Sequence, residues 1–331
     1  MAQVSDLTEV QRHTDVGSSP TRVRKLFIGC VVTFVAGLPT FFNRTDLPAL
    51  ENWGTIHLAL VLQALPFLVL GVVVSALLST FIAPGALARF VPRRPLLAVP
   101  VAAVAAAALP GCECSSVPVA GRLVSRGVPP AAALTFLLAA PAINPVVVVA
   151  TAVAFPGRPE MVLARVVASF LAAIVVGLVW SRRRDSLSLR YHGHEHGGSA
   201  LERFTATVQH DFVQAGGFLV VGAAIVATVQ TVVPPATLQQ FGGRGFVAVV
   251  VLSLAAVCLS LCSEADAFVV AGMAQFSPTA RLAFLVVGPM VDIKLIAMQM
   301  GAFGRSFALR FAPLTYVVAV GSATVVGWVM L

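Results

Sequence analysis

The sequence is poor in charged residues. Only 11% of its 331 residues are charged, whereas a soluble domain of this size carries roughly a quarter. Hydrophobic residues make up 58% of the chain, and its mean hydropathy is +0.92. The formal charge of +8 comes nearly all from arginines in loops, and no RNA- or DNA-binding pattern accompanies it. These values exclude an ordinary soluble domain, and we expect no nucleic-acid partner.

The sequence also lacks the motifs that bind nucleotides or activate a serine. It has no Walker A lysine motif, no G-x-G-x-x-G opening a helix after a strand, and no G-x-S-x-G elbow. We therefore expect a protein that is not an enzyme and needs no cofactor. If the chain moves a solute, the energy must come from an ion gradient or from the gradient of the solute itself.

Long apolar runs are what the chain does contain. They recur at lengths of about 17–25 residues, as helices that cross a bilayer require, and not as the ~10-residue alternating strands of a barrel. The sequence therefore predicts an all-α polytopic membrane protein with about 8–10 transmembrane helices. After the first run, the apolar runs are 57–83, 95–110, 129–155, 160–180, 210–234, 245–261, 279–303 and 311–331.

Polar segments divide the chain. Residues 1–25 predict a disordered cytoplasmic N-terminus. Basic residues then precede an apolar run without a small-x-small cleavage site, which predicts an uncleaved first transmembrane helix at 26–43. The Arg- and His-rich segment 182–207 predicts a cytoplasmic loop between two halves, 55–181 and 208–331.

The two halves are similar in sequence. QALPFLVLG (63–71) matches QAGGFLVVG (214–222), and the stretch that starts at Cys114 matches the stretch that starts at Cys262 without a gap. This register aligns a Cys-Ser pair, a proline and a polar residue of each half: Cys114, Ser115, Pro141 and Asn144 with Cys262, Ser263, Pro289 and Asp292. Apolar composition alone would not align these residues, so we interpret the halves as a duplication.

Loop charge predicts the topology. Arginine-rich loops lie in the cytoplasm, but three simple crossings after residue 94 would place Arg182 outside. The run 95–110 is only ~24 Å long, less than the ~30 Å hydrocarbon core, so we expect a re-entrant hairpin that turns at 111–115. A second hairpin is expected over 245–275. Each half then has three crossings and one hairpin, which predicts an inverted internal repeat in the bacterial cytoplasmic (inner) membrane, with a cytoplasmic N-terminus.

The hairpin tips, CECSS and CSEAD, carry many of the candidate site residues. A charge at the bilayer centre costs about 2.5–3.5 kcal/mol, so charged residues there are expected to line a substrate or ion pathway. The residues concerned are Glu113, Glu264, Asp266, Asp292 and Lys294. The alternative is that short hairpins hold their tips at the headgroups, where a charge costs little. Glu264 and Asp266 are expected to couple transport to an ion or proton.

Three cysteines lie at the same tips. Cys112, Cys114 and Cys262 offer soft thiolates, which select acceptors such as Cu(I), Zn or trivalent arsenic. The alternative is that they pack as small buried side chains. Because the five cysteines of the chain each lie in or beside an apolar segment, they do not form a secreted disulfide framework.

A proline interrupts one long helix of each half. Pro141 and Pro289 each remove a backbone hydrogen bond and are expected to kink the helix, which frees carbonyl groups to line a cavity. Asn144 and Asp292 would line the same cavity or satisfy the kinked backbone.

Histidines alternate along the stretch YHGHEHGG (191–198). His192, His194 and His196 form a candidate Zn or Ni site in the cytoplasmic loop. The alternative is that this short tract holds no physiological metal.

Several of these stretches resemble one family. The chain is similar to the bacterial predicted-permease family that includes the organoarsenical efflux permeases. The similar stretches are the cysteine segment that ends in PVA (114–120), FLLAAPAINP, CSEADAFV and FLVVGPMVDIK. The resemblance covers about residues 55 to 330. It implies a cytoplasmic-membrane permease of eight or more helices and, in the arsenical branch, arsenical resistance by efflux of trivalent organoarsenicals. Some similar permeases are encoded beside a second small membrane subunit, so the resemblance also implies a hetero-complex.

The expected partners are membrane lipid, a small-molecule or ion substrate, and either a second membrane subunit or further copies of the chain. Two other classes stay open. A membrane thiol-redox protein would use the tip cysteines, although C-x-C forms only a strained disulfide and no C-x-x-C is present. A non-transporting subunit of a two-component membrane complex would have no need for the intramembrane acids.

Overall fold

The computed structural model describes residues 47–81, 91–92, 94–107, 112–182, 199–232 and 245–331, which contain α-helices and no strand. The predicted N-terminus, the first predicted transmembrane helix (26–43) and the three histidines of the loop (His192, His194 and His196) lie outside these residues. In chain order the helices are α1 (Leu47–Phe81), α2 (Pro95–Ala106), α3 (Glu113–Ser125), α4 (Pro130–Ile143), α5 (Pro145–Ala154), α6 (Pro159–Ser181), α7 (Ala200–Val232), α8 (Phe246–Leu259), α9 (Asp266–Ala271), α10 (Pro278–Val287), α11 (Ile293–Phe303) and α12 (Arg305–Met330).

Helix length and composition confirm the all-α polytopic membrane fold. Among the described residues, five helical segments are long and apolar enough to cross a membrane: Leu50–Phe81, Pro130–Ala154, Pro159–Ser181, Ala200–Thr228 and Arg305–Met330. The second of these comprises α4 and α5, and its counterpart in the second half, α10 with α11, is divided by residues 288–292. Helix α2 has 12 residues and α8 has 14, too short for a ~30 Å core.

The duplication is present in the packing. Helices α1–α6 recur in the same order as α7–α12. Within the first half α2 packs on α4, α3 on α4, and α4 on α6; within the second half α8 packs on α10, α9 on α10, and α10 on α12. Between the halves, α3 packs on α11 and α9 packs on α5. We call α4–α5 and α10–α11 the broken spans. The returning helix of each hairpin (α3 or α9) therefore packs against the second helix of the broken span of the other repeat.

Both broken spans are interrupted at the polar residue that the repeat aligns. Asn144 Oδ1 accepts a hydrogen bond from Val147 N at 2.9 Å and caps α5. Asp292 Oδ1 accepts one from Leu295 N at 2.5 Å and caps α11. These side chains satisfy N–H groups that a helix start leaves without partners. The two residues thus satisfy the interrupted backbone, which is one of the two roles expected for them.

Two aligned glycines bring long helices against these segments. A Cβ atom on Gly71 of α1 would lie 2.5 Å from Ser115 Cα, and one on Gly222 of α7 would lie 3.0 Å from Lys294 Cα. Side-chain carbons do not approach backbone atoms this closely without displacement. Helix α1 reaches the first hairpin, and α7 reaches the second broken span, because neither position carries a side chain.

Candidate functional site

Glu113 forms the ion pair at the first hairpin tip. It is the first residue of α3, where the helix dipole favours a carboxylate, and Cys112 occupies the preceding N-cap position. Lys294, in the first turn of α11, donates from Nζ to Glu113 Oε1 at 3.0 Å. Neither side chain is more than 1% exposed. This pair connects the tip of the first hairpin to the broken span of the second repeat.

Asp292 completes a charged cluster with these two residues. Its Oδ2 lies 3.9 Å from Lys294 Nζ, which is beyond hydrogen-bond distance. Asp292 Oδ2 and Glu113 Oε2 are buried and accept no hydrogen bond from the described residues. The first charged cluster (Glu113, Asp292 and Lys294) therefore contains two carboxylates and one ammonium group.

Arg165 of α6 forms the ion pair at the second hairpin tip. Its Nη2 donates to Asp266 Oδ2 at 2.7 Å and to Ser263 O at 3.1 Å, and its Nη1 donates to Thr151 Oγ1 at 2.8 Å. Both charged side chains are 1% exposed. One guanidinium group thus binds the second tip to α5 and α6 of the first repeat. Arg165 was not among the residues predicted from the sequence.

The charges of the two tips interact. Glu113 of the first tip acts electrostatically on Glu264 and Asp266 of the second. Glu113 and Asp266 are buried, whereas Glu264 is partly exposed. The structure therefore brings the predicted acids of both tips into one region.

The three predicted cysteines belong to the same region. Cys112, Cys114 and Cys262 are free thiols and are at most 1% exposed. Cys262 interacts electrostatically with Glu113, and Ser115 Oγ donates to Cys112 O at 2.8 Å. In the described part of the chain, no three His, Cys, Asp or Glu side chains are placed to hold a metal ion together.

Ser260, just before the second tip, makes a hydrogen bond that its equivalent in the first repeat does not need to make. It has a left-handed backbone conformation (φ = 46°), and its Oγ accepts a hydrogen bond from Ile293 N at 3.1 Å. The equivalent residues of the first repeat are Cys112 and Pro145. Because proline has no N–H, the first repeat needs no such acceptor. Cys112 therefore does not have to accept a backbone hydrogen bond from the following broken span, as Ser260 does.

A third buried ion pair was also missed by the sequence predictions. Arg122 Nη2 of α3 donates to Asp211 Oδ1 and Oδ2 of α7 at 2.9 and 3.1 Å, and Ser75 Oγ of α1 donates to the same carboxylate at 2.9 Å. Asp211 is 0% exposed and Arg122 6%. Arg126 donates to Ser79 O of α1. The signal that could have found Asp211 is an acidic residue inside an apolar run.

A small pocket lies along α3 between the first and third ion pairs. Val117 follows Glu113 by one helical turn, and Pro118 precedes Arg122 by one turn. The pocket is also bordered by α7 and α11, and its lining residues are Val117, Pro118, Gln214, Ala215, Phe218, Met298 and Ala302.

Long broken helices, two repeats and buried ion pairs between them define a multi-pass membrane protein with a polar interior site. The chain belongs to the predicted permease family, whose model matches residues 49–329. It is 35% identical over 275 residues to the UPF0718 protein YcgR of Bacillus subtilis, a match that covers 80% of this chain and 93% of that protein. This membership confirms the family resemblance and makes the protein a membrane permease.

A second relative comes from Streptococcus mutans and is named as a candidate subunit of a two-component membrane permease complex. It is 30% identical over 283 residues, with 82% of this chain and 94% of that protein covered. No solved structure matches the chain.

Proposed function

We propose that this permease is a secondary exporter of the bacterial cytoplasmic membrane, with a thiophilic solute as its substrate and its pathway between the two hairpin tips. The observation that supports the pathway is the pair of ion pairs Glu113–Lys294 and Asp266–Arg165. Each joins different repeats through side chains no more than 1% exposed. Charges at membrane depth are rare because they are costly, and they mark substrate or ion pathways.

Movement of the repeats explains how these ion pairs serve transport. In inverted-repeat transporters one repeat rocks against the other around a site near the bilayer midplane. An ion pair that joins the repeats separates when they move apart, and water that enters then solvates the freed charges. Glu113–Lys294 and Asp266–Arg165 thus close the pathway when they are formed and line it when they are broken.

The tip cysteines support the choice of solute. Thiolates bind soft acceptors, among them trivalent arsenic, Cu(I) and Zn, in preference to hard cations. Cys112, Cys114 and Cys262 are buried beside the ion pairs. A trivalent organoarsenical or a soft metal species fits this chemistry, and the resemblance to the organoarsenical efflux permeases supports outward transport. Arginine-rich loops support a cytoplasmic N-terminus.

The name of the Streptococcus mutans relative favours a second candidate function, that of a subunit in a two-component membrane complex. A complex and a transport pathway are compatible, since the subunit itself would carry the ion pairs. Co-purification of a small membrane protein with the tagged chain from its native membrane, at a fixed stoichiometry, would establish the complex.

The solute is tested by accumulation of a trivalent methylarsenical in a host without its own arsenic exporters. We expect lower accumulation with the wild type than with empty vector, and loss of this difference in the Cys112/Cys114/Cys262→Ser variant at matched membrane levels. Cys258→Ser is the matched control, because Cys258 is exposed and belongs to α8, one helical turn before the second tip. Equal accumulation with wild type and vector would exclude this solute.

A further inference from the structure

The two carboxylate oxygens of Asp292 have different surroundings. Oδ1 accepts the hydrogen bond from Leu295 N that caps α11. Oδ2 accepts no hydrogen bond from the described residues and lies 3.9 Å from Lys294 Nζ. The side chain is 0% exposed, so Oδ2 is an acceptor without a hydrogen bond in the protein interior.

The charges around this oxygen do not balance. Lys294 lies closer to Glu113, at 3.0 Å, and a single ammonium group faces two carboxylates. With both acids ionised, the first charged cluster carries one net negative charge in a buried site, where low dielectric makes such a charge costly. One proton on Asp292 Oδ2 removes this charge without disturbing the α11 cap or the Lys294–Glu113 bond.

The first repeat provides an internal comparison. Asn144 caps α5 as Asp292 caps α11, with its Oδ1 2.9 Å from Val147 N. The positions equivalent to Glu113 and Lys294 are Leu261 and Val146, which carry no charge. A carboxylate is therefore not needed to make the cap. The negative charge of Asp292 has another role.

A proton fits this site better than a metal cation. Hard cations require several oxygen ligands, and here the Lys294 ammonium group lies beside the only free oxygen of Asp292. The other titratable groups that face the cluster are Cys114 from α3 and Cys262 and Glu264 from the second tip, and the positive charge near that tip, Arg165, is paired with Asp266. None of the three titratable groups adds a positive charge, so the surroundings favour uptake of a proton.

We infer that Asp292 is an exchangeable proton site that couples solute export to the proton gradient, an inference that rests on the permease function proposed above. A proton adds to Oδ2 of the carboxylate to give the neutral acid, and the reverse step releases it. The neutral cluster is stable in the closed arrangement, where it is buried, whereas the deprotonated cluster favours the two open arrangements, in which water reaches it. Because water reaches the pathway from opposite sides in the two arrangements, uptake and release occur on opposite sides.

The proton site can be tested without any solute by pH-difference infrared spectroscopy on the purified full-length protein. We expect a carbonyl stretching band of a buried carboxylic acid that disappears as the pH is raised. Asp292→Asn is expected to abolish this band and to keep the fold, because asparagine makes the equivalent cap at Asn144. Asp292→Ser is a second uncharged variant that retains a capping oxygen. Glu160→Gln, which removes an exposed acid in the first turn of α6, is expected to keep the band.

A band that persists in folded Asp292→Asn and Asp292→Ser proteins would overturn the inference.

Coupling is tested separately in everted vesicles, by uptake of the trivalent methylarsenical with and without an imposed pH gradient. We expect the gradient to raise uptake about tenfold in the wild type and in Glu160→Gln, and to have no effect in Asp292→Asn. A gradient effect in Asp292→Asn would also overturn it. If the wild type takes up no methylarsenical, the proposed solute is wrong and the infrared result still decides the proton site.

Discussion

Arg165 and Asp266 belong to different repeats, yet Arg165 Nη2 lies 2.7 Å from Asp266 Oδ2 in a site where both side chains are 1% exposed. The same guanidinium group also binds Ser263 O and Thr151 Oγ1. One arginine therefore holds the second hairpin tip against the first repeat.

Removal of one partner from this pair is expected to destabilise the protein. Asp266→Asn leaves the Arg165 charge buried without its counter-ion, which costs about 3–5 kcal/mol of unfolding free energy. The double variant Arg165→Met/Asp266→Leu removes both charges and should recover most of the stability while transport remains lost. Thermal unfolding of the purified proteins in detergent measures the first effect, and vesicle uptake the second. An Asp266→Asn protein as stable as the wild type would contradict the pairing.

The third ion pair, Arg122–Asp211, predicts that two variants at this site destabilise the protein to different extents. Asp211→Asn leaves Arg122 buried and uncompensated and should lower the unfolding free energy by about 3–5 kcal/mol. Ser75→Ala removes only one hydrogen bond to the same carboxylate, so its effect should be about 1.5–3 kcal/mol. Thermal unfolding compares the two variants. A larger effect for Ser75→Ala than for Asp211→Asn would contradict the assigned contacts.

Gly71 predicts a packing effect at the first tip. Gly71→Ala places a methyl group against the backbone of Ser115 and should cost about 1–3 kcal/mol of stability, with reduced transport because the tip is displaced. Gly54→Ala is the control in the same helix, since nothing lies within 4 Å of the added carbon. If both alanine variants unfold at the same temperature as the wild type, α1 does not contact the tip this closely.

The inverted repeat predicts opposite labelling of equivalent regions. Ser125 ends α3 and Gln275 follows α9, and both residues are exposed. In a variant without native cysteines, Ser125→Cys should react with an impermeant maleimide from one side of the membrane and Gln275→Cys from the other. Reaction of both from the same side would exclude the inversion.

The sequence predicts the breaks in the fold well because two independent signals coincide there. In each half a proline and a polar residue stand close together within an apolar run: Pro141 with Asn144, and Pro289 with Asp292. Proline disfavours continued helix, and the polar side chain caps the helix that follows. The tip acids were likewise found as charges beside apolar runs.

The sequence did not predict which residues pair with the buried charges. Arg165 and Asp211 lie within apolar runs, so their unusual positions were visible, but each pairs with a residue on a distant helix. Such pairing depends on how the two repeats pack, which no local pattern encodes. Ion coupling by Glu264 and Asp266 stays a prediction from the sequence, whereas the Asp266–Arg165 pair and the Asp292 oxygen without a hydrogen bond are seen only in the structure.

The chemical difference between the two tips has a consequence for the resting state of the permease. If the halves were identical and related by a two-fold axis in the membrane plane, the inward-facing form would be the outward-facing form turned over, and both would have the same free energy. Here an arginine–aspartate pair closes one tip, and a lysine shared by two carboxylates closes the other. We therefore expect the two forms to differ in free energy, so that one orientation of the empty protein is more populated than the other.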